Sequence, residues 1–83
     1  MKVKKRDGSE EDFNPVKIVA AVVRAGASVE LADKISKEVE EEFKEKEVVS
    51  SQEIRDFVLA KLKEMEPPAY ENWLRYDKNV KGI

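Results

Sequence analysis

Apolar residues along the chain fall into four stretches with helical spacing and two short stretches without it. From Pro15 to Ala25, Ile18, Val19, Val22 and Val23 form one stripe, and Gly26 follows as a natural stop. From the N-cap Ser28 to about Lys44, Leu31, Ile35, Val39 and Phe43 recur every four residues and predict a single buried face. Ser50-Ser51-Gln52-Glu53 fits a capping box, with Ser50 as N-cap and Glu53 as its reciprocal partner. Ile54, Phe57, Val58, Leu62 and Met65 then share a face of the third helix. Pro67-Pro68 ends that helix and starts a fourth, on which Tyr70, Trp73, Leu74 and Asp77 line one side and Arg75 and Tyr76 point elsewhere. Trp73 is expected in the core, with an indole N–H that needs a partner. Residues 79–83 read as a flexible tail, leaving residues 1–78 as one domain.

The stretches without helical spacing predict strands. Asp7-Gly8 marks a tight turn inside Val3–Phe13, and Asn14-Pro15 marks a helix start directly after it. Val3 and Phe13 are the large apolar residues here, and both should face the core. A two-residue loop would put them on opposite faces. A three-residue loop, Arg6-Asp7-Gly8 with Gly8 left-handed, puts them on one face. The second register is preferred because a one-residue slip exposes an apolar side chain. Lys5 and Glu11 then share the covered face, while Lys2, Lys4 and Asp12 face water. Val48-Val49 adds a third strand, and Val16 adds an apolar contact near the hairpin. The expected fold is α+β: four helices capped at one end by a small sheet, in the order ββααβαα.

A lysine on a covered face needs an anion. Glu11 is one candidate and an external phosphate is the other, since Lys17 sits in the first turn of a helix whose N-terminus attracts anions. The competing reading is an ordinary charged hairpin with solvated lysines.

These residues carry a family resemblance. Val3, Lys5-Arg6-Asp7-Gly8, Glu11, Phe13-Asn14 and Lys17-Ile18, followed by Ser50-Ser51 with Ile54 and a closing helix with aromatic and Arg residues, resemble the ATP-cone. That family is a small regulatory nucleotide-binding domain of many ribonucleotide reductases, also found in a bacterial repressor of reductase genes and in some archaeal kinases. The resemblance runs from about Val3 to Tyr76. It implies ATP or dATP as an effector, with Mg2+ possible on the nucleotide. Val3 and Ile18 would touch the base or ribose. Lys5, Arg6 and Lys17 would hold the triphosphate. Glu11 and Asn14 would bond the ribose or base or help hold a metal-nucleotide, and Ile54 and Arg55 would line the pocket. Ser50-Ser51 stand where many members have Thr.

Composition narrows the alternatives. The 83 residues hold neither Cys nor His, which excludes disulfides, Cys/His metal sites and His- or Cys-dependent catalysis. No glycine-rich phosphate loop is present, and Glu10, Glu11 and Asp12 alternate along a strand rather than converge, so no enzyme is expected. Charged residues make up 41% of the chain, yet the net charge is −2. That balance, and the lack of aromatic residues among Lys2, Lys4, Lys5 and Arg6, makes nucleic acid an unexpected partner. No stretch suggests a membrane span, and a cytoplasmic location is expected. The leading reading is an allosteric adenine-nucleotide-binding domain without catalysis, acting through self-association or docking to a larger protein. The alternatives are an interaction module of the same fold that has lost binding, and a nucleic-acid contact.

Overall fold

The computed structural model describes the backbone of residues 1–79 and the side chains of residues 1–75. The elements are β1 (Lys2–Lys4), β2 (Glu10–Asp12), α1 (Pro15–Arg24), α2 (Val29–Phe43), β3 (Val48–Ser50), α3 (Ser51–Met65) and α4 (Pro67–Asn79). The order is ββααβαα and the fold is α+β, as the hydrophobic pattern predicts.

The hairpin adopts the three-residue loop. Lys2 pairs with Asp12, Val3 with Glu11 and Lys4 with Glu10. The Lys5 N–H donates to the Ser9 carbonyl at 2.8 Å, and the Gly8 N–H donates to the Lys5 carbonyl at 3.0 Å. Gly8 has φ +87°, a left-handed conformation that costs glycine little and other residues more. The Asp7 carboxylate accepts from the Ser9 N–H and hydroxyl, which closes the loop. β3 joins the other side of β1 in parallel, giving the order β2-β1-β3 and placing Val49 beside Val3 on the covered face.

The starts of α1, α2 and α3 are capped as the sequence suggests. Asn14 caps α1, its side-chain oxygen accepting from the Val16 N–H. Ser28 caps α2, and Ser50 with Glu53 forms the complete capping box of α3. α4 packs against α3, and a hydrogen bond also ties it to the end of α1. Gly26, with φ +107°, turns the chain, and the Asn72 side chain of α4 donates to the Ala25 carbonyl at 3.0 Å. A Cβ on Gly26 would lie 3.3 Å from that Asn72 nitrogen. The close approach leaves little room for a side chain at Gly26.

The core follows the helical stripes with some shifts. Ile35, Val39, Val22, Val49, Val58 and Leu62 are fully buried. Val16 does not pack near the hairpin and is 68% exposed. It lies two residues before Ile18, about 200° around the helix from the residue that does turn inward. Val23 sits at the margin of its stripe and is exposed, while Ala25 takes the inward position. Ala32 and Ala69 are buried as well. The expectations for Tyr76 and Asp77 fall on side chains outside the described residues. The expected tail also lies outside them, apart from Asn79, which ends α4.

Candidate nucleotide site

A cavity of about 310 Å3 opens beneath the hairpin, between the sheet and helices α1, α3 and α4. The sheet contributes Val3, Lys5 and Glu11. α1 contributes Lys17, Ile18, Ala20, Ala21 and Arg24, α3 contributes Ser51, Ile54 and Val58, and α4 contributes Trp73. The volume lies at the small end of the range for ligand sites, and the walls have the usual character of such sites, apolar with a few polar groups.

The polar groups gather at the sheet end. Strand alternation turns Glu11 inward while Glu10 and Asp12 stay outside, and it turns Lys5 inward while Lys4 stays outside. The Lys5 ammonium lies 3.4 Å from Oε1 of Glu11, and the Lys17 ammonium lies 3.1 Å from the same oxygen. Two cations therefore converge on one carboxylate, and a net positive charge remains beside the N-terminus of α1. The hydrogen bond from Lys17, together with Lys5 close by, holds the Glu11 carboxyl below its ordinary value of 4.5. On the outer face Lys2 pairs with Asp12 instead.

The lowered Glu11 value carries a sign. Its contribution to stability is fully present above the ordinary carboxyl value and is lost as pH falls through the lowered folded-state value. Glu11→Gln should therefore make the loss of stability on acidification shallower, measured by denaturant titration from neutral pH downward without nucleotide. Asp7, Asp12 and Glu53 are also lowered, so part of the acid dependence should persist. An unchanged acid limb would count against the bridged geometry.

Val3, Lys5, Glu11, Lys17, Ile18 and Ile54 line this one cavity, and Arg6, Asn14 and Arg55 do not. Arg6 is exposed at the hairpin tip. Asn14 spends its side-chain oxygen on the helix cap. Arg55 follows Ile54 by one position and is turned about 100° around α3. Sequence reasoning missed Ala20, Ala21, Arg24, Ser51, Val58 and Trp73. Helical spacing could have found most of them: Ala20, Ala21 and Arg24 continue the face of Lys17, and Ser51 and Val58 flank Ile54 at three and four residues. Trp73 had no such signal, because it arrives from a helix distant in sequence.

An α+β domain with an apolar cleft and two lysines at a helix N-terminus is a ligand-binding module suited to a compact anion on a hydrophobic body. The chain belongs to the ATP-cone family: the family model for the ATP cone domain matches residues 1–79. Members of that family are nucleotide-binding regulatory domains that bind adenine nucleotides. The chain is 41% identical to the transcriptional repressor NrdR of Persephonella marina, over 82% of this chain and 49% of that protein. It is also 46% identical to an uncharacterized protein of Archaeoglobus fulgidus, over 47% of this chain and 83% of that protein. The chain thus spans about half the length of the repressor it matches.

The relationship overturns one expectation. Nucleic acid was not expected as a partner, yet a relative at this identity is a transcriptional repressor. The mixed charge and missing interleaved aromatics bear only on direct contact by these residues. They do not limit what a regulatory protein containing such a domain acts on. Among the described residues, no helix is long and apolar enough to cross a membrane.

Proposed function

We propose that the chain is an allosteric adenine-nucleotide sensor that works without catalysis, in the cytoplasm, with residues 1–78 as its folded unit. The observation that carries this reading is the convergence of Lys5 and Lys17 on Glu11 at the mouth of an apolar cavity. Both lysines would take the phosphates of ATP or dATP as charge-assisted donors. The α1 N-terminus adds its dipole at the same place. Val3, Ile18 and Ile54 would pack against the nucleoside. Glu11 would offset the repulsion between the two ammonium groups when the site is empty and bond the ribose when it is filled.

Among the described residues, Glu11 is the one carboxylate lining this cavity, and no group of three or more acidic side chains could hold a metal ion. A Mg2+ ion would enter on the phosphates, with Glu11 beside them. The likeness to a transcriptional repressor supports an output exercised on gene expression. Self-association or docking to a larger protein would transmit it.

Calorimetric titration with ATP, dATP and GTP tests the reading. Saturable binding of ATP or dATP, with weaker GTP binding, is expected. No heat and no displacement with any of the three would leave an interaction module of the same fold.

A further inference from the structure

The two lysines at the cavity already hold an anion, and it is the protein's own. Oε1 of Glu11 lies 3.1 Å from the Lys17 ammonium and 3.4 Å from the Lys5 ammonium. A phosphate oxygen held by both lysines would take that same place. Of the consecutive acids Glu10, Glu11 and Asp12, the pleat brings Glu11 to this position, while Asp12 pairs with Lys2 on the outer face.

Stability does not account for the cluster. The Glu11 side chain is 39% exposed, and ion pairs so open to water contribute little to folding. Exposed side chains also change rotamer readily, so the carboxylate can leave the lysines when a ligand arrives. What it needs then is a donor, because an ionised carboxylate accepts hydrogen bonds and donates none. A bare phosphate or polyphosphate brings no such donor. It must part Glu11 from both lysines and then sit beside an unpaired like charge. A nucleotide brings ribose hydroxyls, which can bond the displaced carboxylate.

We propose that Glu11 makes the site selective for nucleotides over bare inorganic phosphates: it occupies Lys5 and Lys17 in the empty site and yields them to a ligand that offers its carboxylate a hydroxyl. Specificity is achieved here by a repulsion set against the wrong ligand as well as by contacts to the right one. The inference rests on the nucleotide reading of the cavity and adds to it a class of anion that the site refuses.

The test compares wild type with Glu11→Gln, which keeps the shape and removes the charge, and with Glu10→Gln, which removes the same charge from the outer face. Cooperative melting confirms that each variant folds. Titrants are ATP, inorganic tripolyphosphate and 2′,3′-dideoxy-ATP, which lacks both ribose hydroxyls. Glu11→Gln should bind tripolyphosphate about tenfold more tightly and ATP no more tightly than wild type does. Its preference for ATP over tripolyphosphate should therefore shrink at least about tenfold. Glu10→Gln should keep the wild-type preference. Dideoxy-ATP should bind wild type about tenfold more weakly than ATP, the scale of one hydrogen bond to a charged group, with a smaller loss on Glu11→Gln. The dideoxy comparison on wild type decides the matter if Glu11→Gln does not fold. An equal gain for ATP and tripolyphosphate on Glu11→Gln, unchanged tripolyphosphate binding, or dideoxy-ATP binding wild type as ATP does would overturn the proposal and leave the nucleotide reading intact. A wild type that binds neither ATP nor tripolyphosphate would overturn both.

Discussion

ATP at one hundred times its dissociation constant is expected to raise the melting midpoint of this domain by ten degrees or more. A ligand that binds only the folded state adds about 2.7 kcal/mol at that concentration. For a chain of this size, each kcal/mol moves the midpoint by roughly 4–8 °C. The cavity has walls from the sheet, α1, α3 and α4. Unfolding any one of them destroys it, so the linkage to folding should be complete. Thermal melts followed by circular dichroism, with and without nucleotide, check this. A midpoint unmoved at millimolar ATP would contradict it.

Lys5→Ala should weaken ATP binding about 10- to 100-fold, while Lys4→Ala should change it less than about fivefold. The two residues are adjacent and chemically identical, so diffuse electrostatics treats them nearly alike. The pleat separates them. Lys5 lines the cavity within 3.4 Å of Glu11, and Lys4 is exposed on the other face of the strand. Loss of a charge-assisted hydrogen bond costs about 1.5–3 kcal/mol, whereas a screened surface charge contributes under about 1 kcal/mol. Lys17→Ala should behave like Lys5→Ala. Neither lysine variant should change the stability of the free protein much, because both pairs with Glu11 are partly exposed. Titration of the three variants at two salt concentrations is the check. Equal losses for Lys4 and Lys5 that fade together at high salt would point to general attraction of polyanions.

The hairpin register was legible because only Val3 and Phe13 in that stretch demand a covered face, and one loop length satisfies both. The helices were legible for a similar reason: Leu31, Ile35, Val39 and Phe43 admit a single inward face, and Asn14, Ser28 and Ser50 mark helix starts by their cap chemistry. Periodicity was less informative at small residues. Ala69 and Ala32 are as buried as any valine, yet alanine occurs on any helix face, so only tertiary proximity reveals their place. The cavity divides along the same line. Lys5, Glu11, Lys17 and Ile18 are close in sequence, and a local pattern brings them together. Trp73 reaches the cavity because α4 packs on α3 and is tied by Asn72 to the end of α1, a contact across 47 positions. Two roles meet at Asn14 in the sequence, the cap of α1 and, through the family resemblance, a ligand contact; the structure shows the first, with the side-chain oxygen accepting from the Val16 N–H.

The central claim is that nucleotide binds beneath the hairpin rather than on its outer face. Amide and indole chemical shifts of the labelled domain, followed through an ATP titration, test it most directly. The account predicts saturable shifts concentrated at Val3, Lys5, Glu11, Lys17, Ile18 and Ile54 and at the indole N–H of Trp73, with Lys2, Lys4 and Asp12 little moved. Shifts confined to the outer face of the hairpin, or spread over the surface and abolished by salt, would contradict it.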